Sequence, residues 1–262
     1  MRPTFYEFFA GGGMARAGLE GWDCLFANDI DAKKAASYAA NWGDAHFRLG
    51  DIYDLQAADL PGRADLAWAS FPCQDLSLAG NGVGLKGERS GAFWGFHRLV
   101  ERLGREGRAP GLLVLENVVG AITSNGGRDF EELSRALHLL GYNFGALTID
   151  AVHFVPQSRP RLFIVALRKD LDAPKESIMK EPDDAWASVS LRNAQGALRP
   201  DLKKAWRWWR LPAPPRQNSS VLAIEERTPR GVEWHSPEQT KKLLGMMSGV
   251  NRRKVDEALA SG

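Results

Sequence analysis

Residues 4–14 read TFYEFFAGGGM. The stretch 4–9 is crowded with aromatic side chains, a composition that suits a strand. The pattern stops at Gly11, Gly12 and Gly13, and a short helical stretch begins at Met14. A strand that runs through glycines into a helix exposes backbone N–H groups that a ligand can approach closely. In an open parallel sheet such a junction lies at the carboxyl ends of the strands, where ligands bind. The same glycines also suit a tight turn with no ligand, so the stretch speaks to the fold before it speaks to the function.

Working outward, the pattern repeats. Residues 24–27 form a second apolar run, and 32–40 have Ala-rich helical composition. Residues 64–71 are a third strand candidate. Residues 112–115, LLVL, carry the mark of a strand buried on both faces. Leu133, Leu137 and Leu140 recur at helical spacing, and 162–167 read as a last strand. Strands alternating with helices predict an α/β fold with a doubly wound, mostly parallel sheet. Near residue 171 the character changes. Residues 172–215 are rich in Pro, Ala and charge without a sustained period, and WRWW at 206–209 is followed by Pro212, Pro214 and Pro215. Residues 237–247 and 254–260 look helical. This divides the chain into a ligand-binding and catalytic domain at 1–170 and a Trp-rich extension at 171–262.

The 262 residues carry 34 Lys and Arg against 32 Asp and Glu, a net charge of +2. Residues 1–170 are slightly acidic and 171–262 slightly basic, and the shorter part holds five of the nine Trp. That permits nucleic-acid contact without demanding it. Cys24 and Cys73 are the two cysteines, which excludes a disulfide scaffold and gives no spacing for structural zinc. No apolar run approaches a membrane span, and no basic-then-apolar leader opens the chain. The expectation is a reducing, cytoplasmic setting with no membrane and no metal.

Five sites carry chemistry. The first is the FFAGGG junction at 8–13. The second strand ends in Asn28, Asp29, Ile30 and Asp31, where a carboxylate suits ribose hydroxyls or, at Asp31, caps the next helix. Asp51, after Gly50, is either a turn residue or a partner for an adenine amine. Cys73, in SFPCQDLS at 70–77, follows a strand end beside Pro72 and is either a small core residue or a thiolate nucleophile. Five glycines in 79–91 make either a surface loop or a lid. Glu116, in ENV at the end of the most apolar strand, is partly desolvated and suited to donating a proton. Arg159 and Arg161, in QSRPR at 157–161, share one face of an extended segment and suit a phosphate or a base carbonyl.

FFAGGG, NDID, GDI, FPCQ with Ser77, RSG, ENV and QSRPR follow in an order and spacing that resembles the DNA cytosine-5 methyltransferases, over residues 4–168. The resemblance implies a Rossmann-like fold and S-adenosylmethionine as cofactor. It implies cofactor contacts from Phe9, Ala10, Gly11, Gly13, Asp29, Ile30, Asp51, Ile52 and Pro72. Duplex DNA is the implied partner, its target cytosine flipped out of the stack. Cys73 is then the nucleophile at carbon 6 and Glu116 the group on the adjacent ring nitrogen and exocyclic amine. Arg161 holds the carbonyl oxygen with Arg159 in support. Gln74, Ser77 and Arg89 belong to the substrate loop.

Departures from the pattern are visible. Met14 stands where the family often has another glycine, Asp29 replaces the more usual Glu, and Ser70 precedes Phe71 where Gly is common. The target-recognition region and the last, Asn-containing motif have no recognisable counterpart. The expectation is therefore a catalytic part that works with a second chain supplying recognition, or a truncated enzyme. WRWWR is then either a nucleic-acid contact through Arg207 and Arg210 or an interface left open by the missing half. Two other readings compete. A transfer-RNA cytosine methyltransferase has a second Pro before the Cys, where this chain has Phe71. A catalytically silent DNA-binding or regulatory subunit is disfavoured because every reacting residue is present.

Overall fold

The computed structural model describes residues 1–72, 91–215, 220–226 and 228–260. β1 (Thr4–Phe8) is buried along nearly its whole length. β2 (Asp23–Asp29) and β4 (Leu66–Ala69) pair parallel to it on either side. β3 (Phe47–Leu49) continues the sheet beyond β2, and β5 (Leu112–Val118) beyond β4, all parallel. β7 (Pro160–Arg168) lies antiparallel to β5, and the edge strand β6 (Tyr142–Asp150) lies antiparallel to β7. The order β3-β2-β1-β4-β5-β7-β6 makes a seven-stranded, mostly parallel sheet, as the alternating pattern predicts.

Helices lie on both faces, which is what double winding means. α1 (Met14–Gly18) and α2 (Ala32–Trp42) follow β1 and β2. α2 begins where Asp31 accepts the N–H groups of Lys33 and Lys34 at 2.8 and 3.3 Å, so Asp31 takes the capping role. α3 (Ala92–Arg105) turns Phe93, Phe96, Leu99, Val100 and Leu103 inward, and α4 (Arg128–Leu139) turns in Phe130, Leu133 and Leu137. These side chains share one core with Tyr6, Phe8, Leu113, Leu115, Leu162 and Ile164. The opposite face packs Phe5, Ala27, Leu66 and Val114 with Tyr38 of α2. Burying each large apolar side chain contributes roughly 1.5–3 kcal/mol, so alternate residues of the same strands hold both helical layers.

The first compact unit does not end near residue 170 but runs to residue 218. β8 (Ile178–Met179) pairs with β9 (Trp208–Trp209), and between them lie α5 (Val189–Ala197) and α6 (Pro200–Ala205). Leu191, Leu198, Leu202 and Trp206 join the α3–α4 core. They recur seven, four and four residues apart, a helical spacing, but the chain breaks at Leu198 and Arg199 between the two helices, and Trp206 caps the second. WRWW is accordingly packed against the sheet through Trp206, which is core, while Arg207, Trp208 and Trp209 stay partly exposed and Arg210 exposed. Trp206 is buried with its ring 6.1 Å from Phe130 and 5.6 Å from Phe144, while Trp208 and Trp209 are half-buried. The second unit, 219–262, contains α7 (Val221–Ile224), α8 (Pro237–Gly245) and α9 (Gly249–Ala260). Ser236 and Gln239 exchange side-chain hydrogen bonds with each other's backbone at the start of α8, with Pro237 at its first position.

The WRWW segment crosses β6 at Gly145, where a Cβ would sit 1.8 Å from the Arg207 carbonyl oxygen. Arg207 N–H donates to Phe144 O at 2.7 Å, and the Trp209 indole donates to Val165 O at 3.1 Å. Gly145→Ala should therefore force the segment off the sheet and lower stability by about 2 kcal/mol or more in urea denaturation. An unchanged midpoint would show that the segment does not depend on this crossing.

Candidate active site

The loop after β1 is held under backbone strain. Phe9, a non-glycine, has φ 57°, and Gly11 and Gly13 have φ 56° and 82°. Strain of this kind persists only where surrounding contacts over-determine it. Here Ala10 N–H donates to Asn28 O at 2.9 Å, Gly11 N–H to Asp29 Oδ2 at 2.9 Å, and Gly13 N–H to Ala10 O at 2.8 Å. Asp29 is buried, and its other oxygen accepts the Asp31 N–H at 2.9 Å. The ribose partner suggested by the sequence thus sits beneath the glycine loop as its brace. Gly13 is the buried residue from which α1 starts.

Two cavities meet at Phe9. The larger, ≈ 500 Å³, has Gly11, Gly12, Trp68, Glu116 and Arg159 in its wall, with Ala10 and Ser70. The smaller, ≈ 220 Å³, is walled by Ile30, Asp51, Ile52, Tyr53, Pro72 and Ala92. Asp51 Oδ1 accepts the Tyr53 N–H at 2.9 Å, the turn role, while its place in the wall leaves the ligand role available too. Asn28 Nδ2 donates to the carbonyls of Arg48 and Gly50, both at 2.9 Å, and so fixes how the Asp51 turn leaves β3. Together the lobes offer an apolar-lined slot at one end and a glycine-lined chamber with three ionisable side chains, Glu7, Glu116 and Arg159, at the other.

Glu116 and Arg161 are brought together by strand register. Arg161 of β7 stands opposite Val118 of β5, so its side chain shares a face with Glu116 two residues earlier. Arg161 Nε lies 3.0 Å from Glu116 Oε1, with both side chains about one-fifth exposed. Asn117, on the other face and buried, donates to Phe71 O at 3.2 Å. That bond ties the end of β5 to the residues leading into Cys73. Arg159 is placed by Asp150, which accepts its N–H at 2.6 Å and the Ser158 hydroxyl at 2.9 Å. The Asp150 carboxyl is held below its usual range, foremost by the Val152 N–H. Cys73, Gln74, Ser77 and Arg89 lie outside the described residues.

Sequence reasoning missed Glu7. It sits mid-strand among aromatics, buried in β1, and lines the larger cavity. Oε1 accepts the Arg16 N–H at 3.4 Å, and Oε2 has no hydrogen-bond partner. Burial pushes its carboxyl up to about 7, opposed by the N–H groups of Arg16 and Ala15. The signal was present as the single acid in TFYEFF. Trp68 and Ser70 were likewise not linked from sequence; the Trp68 indole donates to Ser70 Oγ at 2.9 Å, which accounts for a hydroxyl where Gly is common. Among the described residues no three His, Cys, Asp or Glu gather to hold a metal ion, and no helix is long and apolar enough to cross a membrane.

Type II methyltransferase M.BsuFI of Bacillus subtilis is 34% identical over 188 residues, which cover 70% of this chain and 44% of the relative. Type II methyltransferase M.HhaI of Haemophilus parahaemolyticus is 29% identical over 171 residues, 64% of this chain and 50% of the relative. The chain thus spans about half the length of the curated relatives it matches. The crystal structure of a putative DNA modification methyltransferase from an Escherichia coli prophage superposes with a TM-score of 0.53 at 22% identity, covering 71% of this chain and 53% of that one. The S. pombe Dnmt2 methyltransferase gives 0.51 at 24% identity, covering 66% and 51%. Both likenesses concern the fold. The family described as C-5 cytosine-specific DNA methylase matches residues 3–220, most of the first compact unit, and the chain belongs to that family.

Proposed function

We propose that this chain methylates carbon 5 of cytosine in duplex DNA through a covalent Cys73 adduct on a flipped base, with target recognition supplied by a second chain. The observation that carries the reading is the two-lobed cavity, with Glu116, Arg159 and Arg161 gathered at one end and Pro72, the residue before Cys73, in the wall of the other. The family uses S-adenosylmethionine, and when bound that cofactor supplies an electrophilic methyl group. The residues fit it. Ile30, Ile52 and Pro72 offer apolar contact to a purine and Asp51 an acceptor for its amine. Gly11 and Gly12 let the backbone approach an amino-acid tail.

The chain's own residues then divide the chemistry. Cytosine is a poor carbon nucleophile, so the Cys73 thiolate adds to carbon 6 and the electron pair of the 5,6 double bond shifts toward carbon 5. Glu116 hydrogen-bonds the adjacent ring nitrogen and the exocyclic amine. Its hold strengthens as charge builds on the ring, so it acts on the transition state. Arg161, already paired with Glu116, holds the carbonyl oxygen and fixes the carboxylate's orientation, and Arg159 closes the wall beside it. Carbon 5 takes the methyl group. Loss of its proton restores the double bond and expels Cys73 as thiolate.

The test is transfer of labelled methyl from S-adenosylmethionine to unmethylated duplex DNA. Cys73→Ser should fold normally and retain less than about one thousandth of the rate. Normal turnover by that variant would refute the nucleophile assignment.

The same reading gives buried Glu7 a role: it lines the chamber that takes the cofactor's amino-acid tail, one of its oxygens has no hydrogen-bond partner, and an ammonium there would pair with it. Its folded carboxyl is raised from 4.5 to about 7, so its stabilising contribution is present below pH 4.5 and lost as pH rises through 7. A bound cation offsets that loss. Stabilisation by added S-adenosylmethionine should therefore grow between pH 6 and 8, and Glu7→Gln should flatten that dependence. Equal pH profiles in thermal-shift measurements would remove Glu7 from the site.

A further inference from the structure

We propose that Trp42, the last residue of α2, is a positioning residue for the glycine loop, and through it for cofactor affinity. The inference rests on the reading that this loop holds S-adenosylmethionine. Trp42 is 36% exposed, yet its indole Nε1–H points inward and donates to Gly12 O at 3.1 Å. Its ring edge lies against Gly13, where a Cβ would come 2.3 Å from Nε1 and 2.6 Å from Cδ1. Gly13 is therefore required twice, for φ 82° and for the indole. From the other side the Arg16 guanidinium lies 5.1 Å from the Trp42 ring centre while donating to the Tyr38 hydroxyl at 2.9 Å. Tyr38 is fully buried, so this stack ties the indole to the core.

The result is a loop held residue by residue from one neighbouring unit. Asn28 O takes Ala10 N–H, the Asp29 carboxylate takes Gly11 N–H, and Trp42 gives its proton to Gly12 O. The first two contacts come from the end of β2 and the third from the far end of α2. With Gly12 O engaged behind the loop, that carbonyl is kept from rotating toward the cavity that Gly11 and Gly12 line. A carbonyl turned inward would present a negative dipole where the reading requires N–H donors.

Trp42→Phe keeps a ring against Gly13 and removes the donor. One net hydrogen bond corresponds to roughly a three- to tenfold change in an equilibrium constant. S-adenosylmethionine should therefore bind Trp42→Phe about three- to tenfold more weakly by calorimetry, with kcat at saturating cofactor within about twofold. In the ligand-free chain, amide exchange should quicken at residues 11–15 and stay unchanged in β5 and β7. Trp42→His, which keeps a ring N–H, should recover part of the affinity. Unchanged affinity and exchange in Trp42→Phe would overturn the proposal. So would a general rise in exchange across the sheet, which would make Trp42 a stability residue only. If the unmodified chain binds no S-adenosylmethionine while its loop exchange still responds to Trp42→Phe, the cofactor reading fails, and the proposed effect on affinity fails with it.

Discussion

The reversal of strand order between β1 and β4 is the constraint on which the rest depends. From β1 the chain builds outward through β2 to β3, then returns to place β4 on the other side of β1. The connections leaving β1 and β4 must diverge, one to each face of the sheet, and the space between their carboxyl ends stays open. Phe9 and Ser70 stand at those two ends, and both line the larger cavity. A cleft here is a product of topology. The side chains decide only what it binds.

That opening would be useless if its rim were free to collapse. The rim is glycine-rich and strained at Phe9, a combination that favours many loop conformations. Asp29, whose carboxylate accepts two N–H groups from within the β2 end and the glycine loop, resolves this. On the opposite side Arg98 of α3 donates to the Tyr53 and Leu55 carbonyls at 2.7 and 3.3 Å and pins the turn that carries Asp51 and Ile52. Gly95 lets α3 come close enough for that, since a Cβ there would lie 2.6 Å from Ile52 Cγ2. Both lobes are thus shaped by polar contacts from neighbouring elements.

Among the described strands of the seven-stranded sheet β7 alone runs against the rest, and the Glu116–Arg161 pair depends on it. An antiparallel neighbour puts Arg161 at the carboxyl end of β5 even though Arg161 opens its own strand. A parallel strand would carry its first residues to the opposite edge. The ion pair between Glu116 and Arg161 therefore follows from strand direction as much as from residue identity.

Much of this was legible in the sequence. The glycine junction, the apolar LLVL run and the strand–helix alternation determined the α/β class, because burial on both faces leaves runs that no amphipathic pattern mimics. The order of motifs pointed to the family, and Glu116, Arg159, Asp51 and Ile52 line the cavity walls. α3 and β6 were not legible: α3 begins straight after a glycine-rich stretch, and β6 is interrupted by Gly145. The end of the first unit was hidden as well, because Leu191, Leu198, Leu202 and Trp206 belong to short elements broken at Leu198, inside a stretch otherwise rich in Pro, Ala and charge. Only the tertiary structure decided that Asp29 braces the loop, that Glu7 is buried in the wall of the chamber, and that Trp206 is core. Each depends on what a side chain meets in another element or loop of the fold, which the local sequence around it does not show.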